Sequence, residues 1–404
     1  MRDKNSKKHR GDSPPNIVFL VADCLRQDIA YDKDVMPFLN KTFRYKVKEA
    51  YSNAPTTQFA VPAFMTGKIP FEVSSREGIT ENHADLYLPE ILREEGYKNI
   101  FITGNVVTSA YFGYDRGIDF FEDFVDLKRA GTRKASITKW MVSLVPKRLR
   151  EKKNILTRST KKIFGRLQSK QNIDLKSNIT YDKILRVLKK VDFGKRNFVF
   201  LHLMDTHTPY FSEKDRKKID VKKLKRLTMK LYSEDDNLTK EDISFLKEAY
   251  LKQAKNIDKG ISEIYEYLKN TLGPNTVFFV FSDHGEAFNE TGYMEHPPEK
   301  VDNPQHIRTP LMSNRNLGRK VIFSNNIYEM VLGLVKESNF SEKRYCIGYS
   351  TRAKGLRSEY DIYAYFDYDN NRYCRRLKDE KELPKPLKKI LGKKLEIDLT
   401  DIKF

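Results

Sequence analysis

The chain has 404 residues, 75 of them Lys or Arg against 55 Asp or Glu, for a formal charge of +20 and a hydrophobic content of 39%. That length allows one large α/β domain or two ordinary ones, and that composition excludes a disordered chain. Three widely spaced cysteines (Cys24, Cys346, Cys374) suit neither a disulfide scaffold nor a zinc knuckle, and no uninterrupted apolar run reaches the ~18 residues of a membrane span.

Residues 1–14 read as a basic tail without the apolar stretch of a secretory leader, so the expected location is the cytoplasm. Four short apolar runs then punctuate the chain. Each is β-branched or aromatic and lacks period-two alternation, as suits strands buried on both faces. The first, Ile17 to Ala22, closes at Asp23. After it, NAPTTQFAVPAFMTG sets adjacent hydroxyls, Thr56 and Thr57, ahead of an apolar helix-like stretch. A helix is predicted over Asp85 to Glu95, and the second run, Tyr97 to Thr103, closes at Gly104 and Asn105.

Between Lys128 and Lys190 stand 20 Lys or Arg against three acids, Glu151, Asp174 and Asp182, a local charge of +17. Trp140, Leu144, Ile155 and Phe164 are interleaved with these cations. A basic helix of this kind lies on an anionic membrane surface or grips a polyanion, which would set the protein at the membrane face. Its spacing is not cleanly amphipathic, so a solvated helical insertion is the plainer reading; without base-reading motifs, no sequence-specific nucleic acid is expected.

A helix over Asn178 to Lys190 carries Ile184, Leu185 and Leu188, and the third run, Phe198 to Met204, closes at Asp205 and His207. A long helix from Lys240 to Leu272 stops at Gly273-Pro274. The fourth run, Thr276 to Phe281, closes at Asp283 and His284. From about Ile322 the signal thins to a helix at Asn326 to Lys336, a Tyr-rich strand pair turning at Asp369-Asn370-Asn371, and a basic tail. The organisation is therefore a tail (1–14), a catalytic unit (15–320) holding the basic insertion at about 128–190, and a small C-terminal subdomain with its tail (321–404). Strands alternating with helices predict a largely parallel sheet covered on both faces, with ligands beyond the carboxyl ends of the strands.

A single Asp after a strand is usually a turn or capping residue. Four polar strand endings, two with Asp and His together, are harder to dismiss. Asp23, Asp283 and His284 form a donor set for a hard or borderline divalent cation. A hydroxyl at a helix N-terminus beside such an ion is a suitable nucleophile, although Thr56 or Thr57 as a simple helix cap is the plainer local reading.

NIVFLVADCLRQD, TQFAVPAFMTG, GYKNIFITGN, HLMDTHTPY and FSDHGE, in this order over about residues 15–312, resemble the sulfatase branch of the alkaline phosphatase superfamily. The resemblance implies an α/β/α sandwich with a central, mostly parallel sheet and a smaller C-terminal subdomain. It implies one divalent ion (Ca, Mg, Mn or Zn) held by Asp23, Asp283 and His284, with Thr57, nine residues before Thr66, as nucleophile and ligand. It further implies Asn105 and Asp205 on the substrate and His207 and His296 at the transferred or leaving oxygen. Sulfatases need Cys or Ser at the nucleophile, which is oxidised to formylglycine; Thr57 carries a methyl on Cβ and cannot form that aldehyde. Val61 also stands in place of their usual Arg, and Cys24 in place of the second Asp of their Asp-Asp pair. A direct Thr nucleophile is similar to the phosphodiesterase and lipoteichoic-acid-synthase type of member.

The expected activity is cleavage of an anionic phosphate or sulfate ester through a covalent Thr intermediate, passed to water or an acceptor alcohol. Asp205, His207 and His296 offer a set for a second metal; alternatively His207 acts directly as acid or base. His202, inside an apolar strand, reads as a core residue, Cys24 as strand-end packing, His9 and His83 as surface groups, and His306 as evenly balanced between pocket and core. The rival function is a polyanion- or membrane-binding protein on this scaffold without turnover.

Overall fold

The computed structural model describes residues 13–68, 70–73, 78–79, 86–124, 179–232, 237–290, 292, 294–296, 304–318 and 321–336, with the backbone of 345–354, 357–367 and 372–374. Its strands are β1 (Asn16–Ala22), β2 (Tyr45–Lys46), β3 (Glu49–Tyr51), β4 (Lys98–Thr103), β5 (Phe120–Glu122), β6 (Asn197–Leu203), β7 (Thr276–Phe281), β8 (Ala287–Phe288), β9 (Met294–Glu295), β10 (Leu311–Ser313), β11 (Val321–Phe323), β12 (Tyr345–Lys354), β13 (Arg357–Asp367) and β14 (Arg372–Cys374). The central sheet has the order β2-β10-β7-β1-β6-β4-β5. Six of its strands run one way and β10 opposes them.

Every residue of β1, β6 and β7 is buried, which explains why their sequences do not alternate. The two faces still sort by parity. Ile17, Phe19 and Val21 join Phe198, Phe200, Phe279 and Phe281 in one cluster, whereas Val18, Leu20 and Ala22 join Val199, Leu201, Phe278 and Val280 in the other. The first face is covered by helices α1 (Thr57–Thr66), α2 (Leu88–Glu94) and α6 (Asn326–Val335), through Val61, Phe64, Leu88, Leu92, Ile327 and Val331. The second is covered by α3 (Tyr181–Leu188) and α5 (Lys240–Leu272), through Ile184, Leu188, Ile257, Ile261, Ile264 and Leu268. The result is the α/β/α sandwich expected.

A further helix, α4 (Val221–Tyr232), is absent from the sequence reading; it lays Leu224, Leu227 and Leu231 on Leu246, Ala249 and Tyr250 of α5. The main core also continues past residue 320, since β11 pairs in parallel with β3 and α6 packs in the first cluster. Beyond it, β13 pairs antiparallel with both β12 and β14. Most of the basic segment lies outside the described residues; its last turns form α3 and are core. Among the described residues no helix is long and apolar enough to cross a membrane.

Candidate active site

Four of the expected groups meet at the carboxyl ends of the central strands. Asp23 follows β1, with its N–H on the Leu203 carbonyl of β6 and its own carbonyl receiving the Thr206 hydroxyl at 2.6 Å. Asp283 and His284 follow β7, and a Cβ at Gly285 would stand 1.9 Å from the Gln305 carbonyl oxygen, so this turn accepts only glycine. Thr57 opens α1, a helix buried at nine of its ten residues and seated by Phe64 between Phe200 and Phe281. Gly67 ends α1 at φ +68°.

The Thr57 hydroxyl oxygen lies 3.2 Å from His284 Nε2, 3.3 Å from Asn105 Nδ2 and 3.5 Å from Asp23 Oδ2. Asn105 is oriented by its own backbone: Oδ1 accepts the Val107 N–H, which turns Nδ2 toward Asp23 Oδ2 at 2.6 Å and toward Thr57. His284 Nδ1 is 3.0 Å from the Gly285 carbonyl, an arrangement that puts the ring proton there and leaves Nε2 as the acceptor or ligand. That nitrogen stands 3.5 Å from Asp283 Oδ2 and 3.7 Å from Asp23 Oδ1.

His207 and His296 form the opposite wall, with ring centres 5.6 Å apart. His207 Nδ1 is 2.6 Å from the Thr208 carbonyl. His296 Nδ1 lies 3.2 Å from Glu286 Oε1, and Tyr210 donates its hydroxyl to Glu286 Oε2 at 2.9 Å. Asp205 is not part of this wall. Its Oδ2 accepts the Tyr181 N–H at the start of α3 and the residue is 1% exposed, so the carboxylate serves the helix end rather than an open substrate face.

Two residues that the sequence reading gave to packing, His202 and Cys24, and one it did not single out, Glu286, belong to the site. His202 Nε2 lies 3.2 Å from Asp23 Oδ2 and 3.8 Å from Asp283 Oδ2, behind the two carboxylates. Cys24 Sγ donates to Asp23 Oδ1 at 3.1 Å and lies 3.7 Å from His296 Nδ1. Glu286 is fully buried. Each had a signal: a histidine in an apolar strand, a thiol next to the first Asp, and an acid two residues after His284. His306 is buried with Nε2 on the Glu295 carbonyl, while His9 and His83 lie outside the described residues.

The electrostatics are those of buried acids balanced only by imidazoles. Among the described residues every ion pair of Asp23, Asp283 and Glu286 is to a histidine. Burial works to raise the Asp23 carboxyl, but His207 and then His202 and His284 outweigh it and hold the group well below the usual carboxylate range. Burial likewise works to lower His207, yet Asp23, the Thr208 carbonyl and Glu286 raise it. His296 goes the other way, to about 3, through burial and the neighbouring His284 and His207. Burial raises Glu286 and Cys24, and brings Asp205 to about 7.

A sulfatase family model matches residues 15–331. The chain belongs to the sulfatase family. Several solved structures share the fold of this sulfatase-family chain. The phosphonate monoester hydrolase of Agrobacterium radiobacter is 12% identical, with a TM-score of 0.56 over 95% of each chain. A 2-O GAG sulfatase is 13% identical at 0.56, over 97% of this chain and 94% of its own. The zinc complex of the C-terminal periplasmic domain of EptC from Escherichia coli is 14% identical at 0.51, over 81% and 84%. No curated protein matches the chain.

Sulfatase-family members are metal-dependent, and the residues here fit such an ion. Ligands about 2.0–2.1 Å from a tetrahedral zinc stand about 3.4 Å from one another. The distances from Thr57 Oγ1 to His284 Nε2 and Asp23 Oδ2, and from His284 Nε2 to Asp283 Oδ2, are 3.2, 3.5 and 3.5 Å. Asp283 Oδ2 is buried without a hydrogen-bond partner, a large penalty for an acid unless a cation meets it.

Proposed function

We propose that this sulfatase-family chain is a metal-dependent phosphoester hydrolase or transferase in which Thr57 attacks phosphorus. The observation that carries the reading is the Thr57 hydroxyl at a helix N-terminus, within 3.5 Å of Asp23, Asn105 and His284. The methyl on its Cβ supports direct attack by the hydroxyl over a formylglycine route, and therefore phosphate over sulfate. Asp23, Asp283, His284 and Thr57 would hold the ion, whose charge lowers the hydroxyl pKa and polarises the ester.

The other groups act through the chain's own chemistry. Thr57 releases its hydroxyl proton to water and Oγ1 forms a bond to phosphorus as the bond to the ester oxygen breaks, which leaves a phosphothreonine and an alkoxide. Asn105 Nδ2 donates to the nucleophile in the resting site and serves an equatorial phosphoryl oxygen as charge builds there. The N-terminus of α1 favours that same negative charge. The alkoxide departs on the His207 and His296 side. The alkoxide takes a proton from water; water or an acceptor alcohol then attacks phosphorus from that side, gives up its own proton, and the released Thr57 oxygen is reprotonated.

The test is turnover of nitrophenyl phosphate mono- and diesters, a phenylphosphonate and nitrophenyl sulfate with Ca²⁺, Mg²⁺, Mn²⁺ or Zn²⁺. Phosphorus esters should be cleaved in preference to sulfate, and Thr57→Ala should lower kcat at least about 10³-fold with the first metal equivalent still bound. Full turnover by that variant at unchanged metal content would refute the assignment.

A further inference from the structure

Cys24 is a thiol where acids and imidazoles would be enough to hold one ion. It is fully buried. Its Sγ lies 3.1 Å from Asp23 Oδ1, 3.7 Å from His296 Nδ1 and 4.0 Å from His284 Nδ1. Among the described residues, one ligand atom from each of Cys24, His207 and His296 lies within 4.8 Å of the other two. Asp205, the acid expected to complete that histidine pair, belongs to no such group and is bound to Tyr181 instead.

The backbone holds the thiol in place. Cys24 has φ +61°, a left-handed conformation that opposes a side chain. Tyr250 donates its hydroxyl to the Cys24 carbonyl at 3.0 Å and accepts the Arg26 N–H at 2.9 Å, and Ser282 accepts the Leu25 N–H. The Glu286 carboxylate, 3.2 Å from His296, adds negative charge beside the group. Two imidazoles and a thiolate are the donors that zinc and other borderline-soft cations prefer over Ca²⁺ or Mg²⁺, and three protein ligands leave a fourth position for an oxygen of the substrate.

We propose that Cys24, with His207 and His296, holds a second, borderline-soft divalent cation beside the ion at Asp23, Asp283 and His284. The thiol proton is released to water and sulfur binds as thiolate. The cation would take the place of a proton at the departing oxygen, so the inference deepens the phosphoester reading and names its leaving-group side.

The test uses full-length protein with Cys346→Ala and Cys374→Ala, so that Cys24 is its sole thiol. After chelation the protein is titrated with Co²⁺ and followed by near-ultraviolet absorption and metal analysis. Two equivalents per chain are expected, one of them bringing a thiolate-to-cobalt charge-transfer band. Cys24→Ser should retain one equivalent, lose the band and weaken the second equivalent at least about 100-fold. His284→Ala should lose the first equivalent and keep the band. A single equivalent without the band, or two equivalents without it, overturns the proposal. Because the band reports the thiolate and Thr57→Ala reports the nucleophile, failure of one reading is distinguishable from failure of the other.

Discussion

The fixed side chains of the site are worth separate numbers. Asn105 donates to both Asp23 and Thr57, so Asn105→Ala should lower kcat about 10²-fold, the usual effect of removing a donor aimed at developing charge, with metal content unchanged by atomic analysis. Asp205 makes a prediction about stability. Its folded carboxyl titrates at about 7, above its usual 3.8, so the folded chain keeps a proton there that the unfolded chain has lost. Stability from this group therefore falls as pH rises from about 4 to 7 and stays low above that, by up to about 4 kcal/mol. Asp205→Asn keeps an acceptor for the Tyr181 N–H and abolishes the charge. Thermal melts should show it more stable than the parent at pH 8, with the gain shrinking toward pH 4. At this scale Asp23, Asn105, Asp283 and His284 were legible because each follows a strand, whereas Thr57 was separated from Thr56 only by the family resemblance. His202 and Cys24 were obscured because direction is not written in a residue type. His202 lies in an all-buried strand, and only the β6 register beside Val21 and Thr103 turns its ring toward the carboxylates.

The elements that carry these groups were legible where they were long or uniformly apolar. The four buried runs became β1, β4, β6 and β7, and the Gly-Pro stop marks the end of α5. The edge of the sheet was not, because β2 and β10 have only two and three residues, too few for a pattern, and β10 takes its place by pairing with β7 and burying Leu311 and Met312. Helix α4 does carry the spacing, at Leu224, Leu227 and Leu231, but it is interrupted by so many lysines that the charge hides the face. The element on which function rests most is α1. Its end at Gly67 combines a left-handed φ with Tyr328 packed so closely that an added Cβ would meet the ring at 2.5 Å. Gly67→Ala should destabilise the fold by about 2 kcal/mol, seen as a lower urea midpoint at unchanged slope. Thr57→Ala, at the other end of the same helix, should leave that midpoint almost unmoved, which separates the helix as scaffold from the helix as reagent.

Across the whole molecule, charge and chemistry are carried by different stretches of chain. Residues 128–190 hold +17 of the +20, leaving the sheet and its site near balance. The proposed substrate class, an anionic ester, rests on the constellation of the site; the particular ester has no signal in the sequence, because recognition beyond the reacting group depends on surfaces no motif records. A concentrated cationic segment raises the local concentration of anions and their rate of arrival, and its reach is about 10 Å at 0.1 M salt. If it serves the site, kcat/KM for a nitrophenyl phosphate should fall roughly tenfold between about 0.02 and 0.5 M NaCl while kcat stays level. Replacing Lys147, Arg148, Arg150, Lys152 and Lys153 by Gln should flatten that slope and leave kcat level. An unchanged slope would assign the segment to a separate anionic surface, because screening by salt acts on whichever charges lie near the path of the substrate.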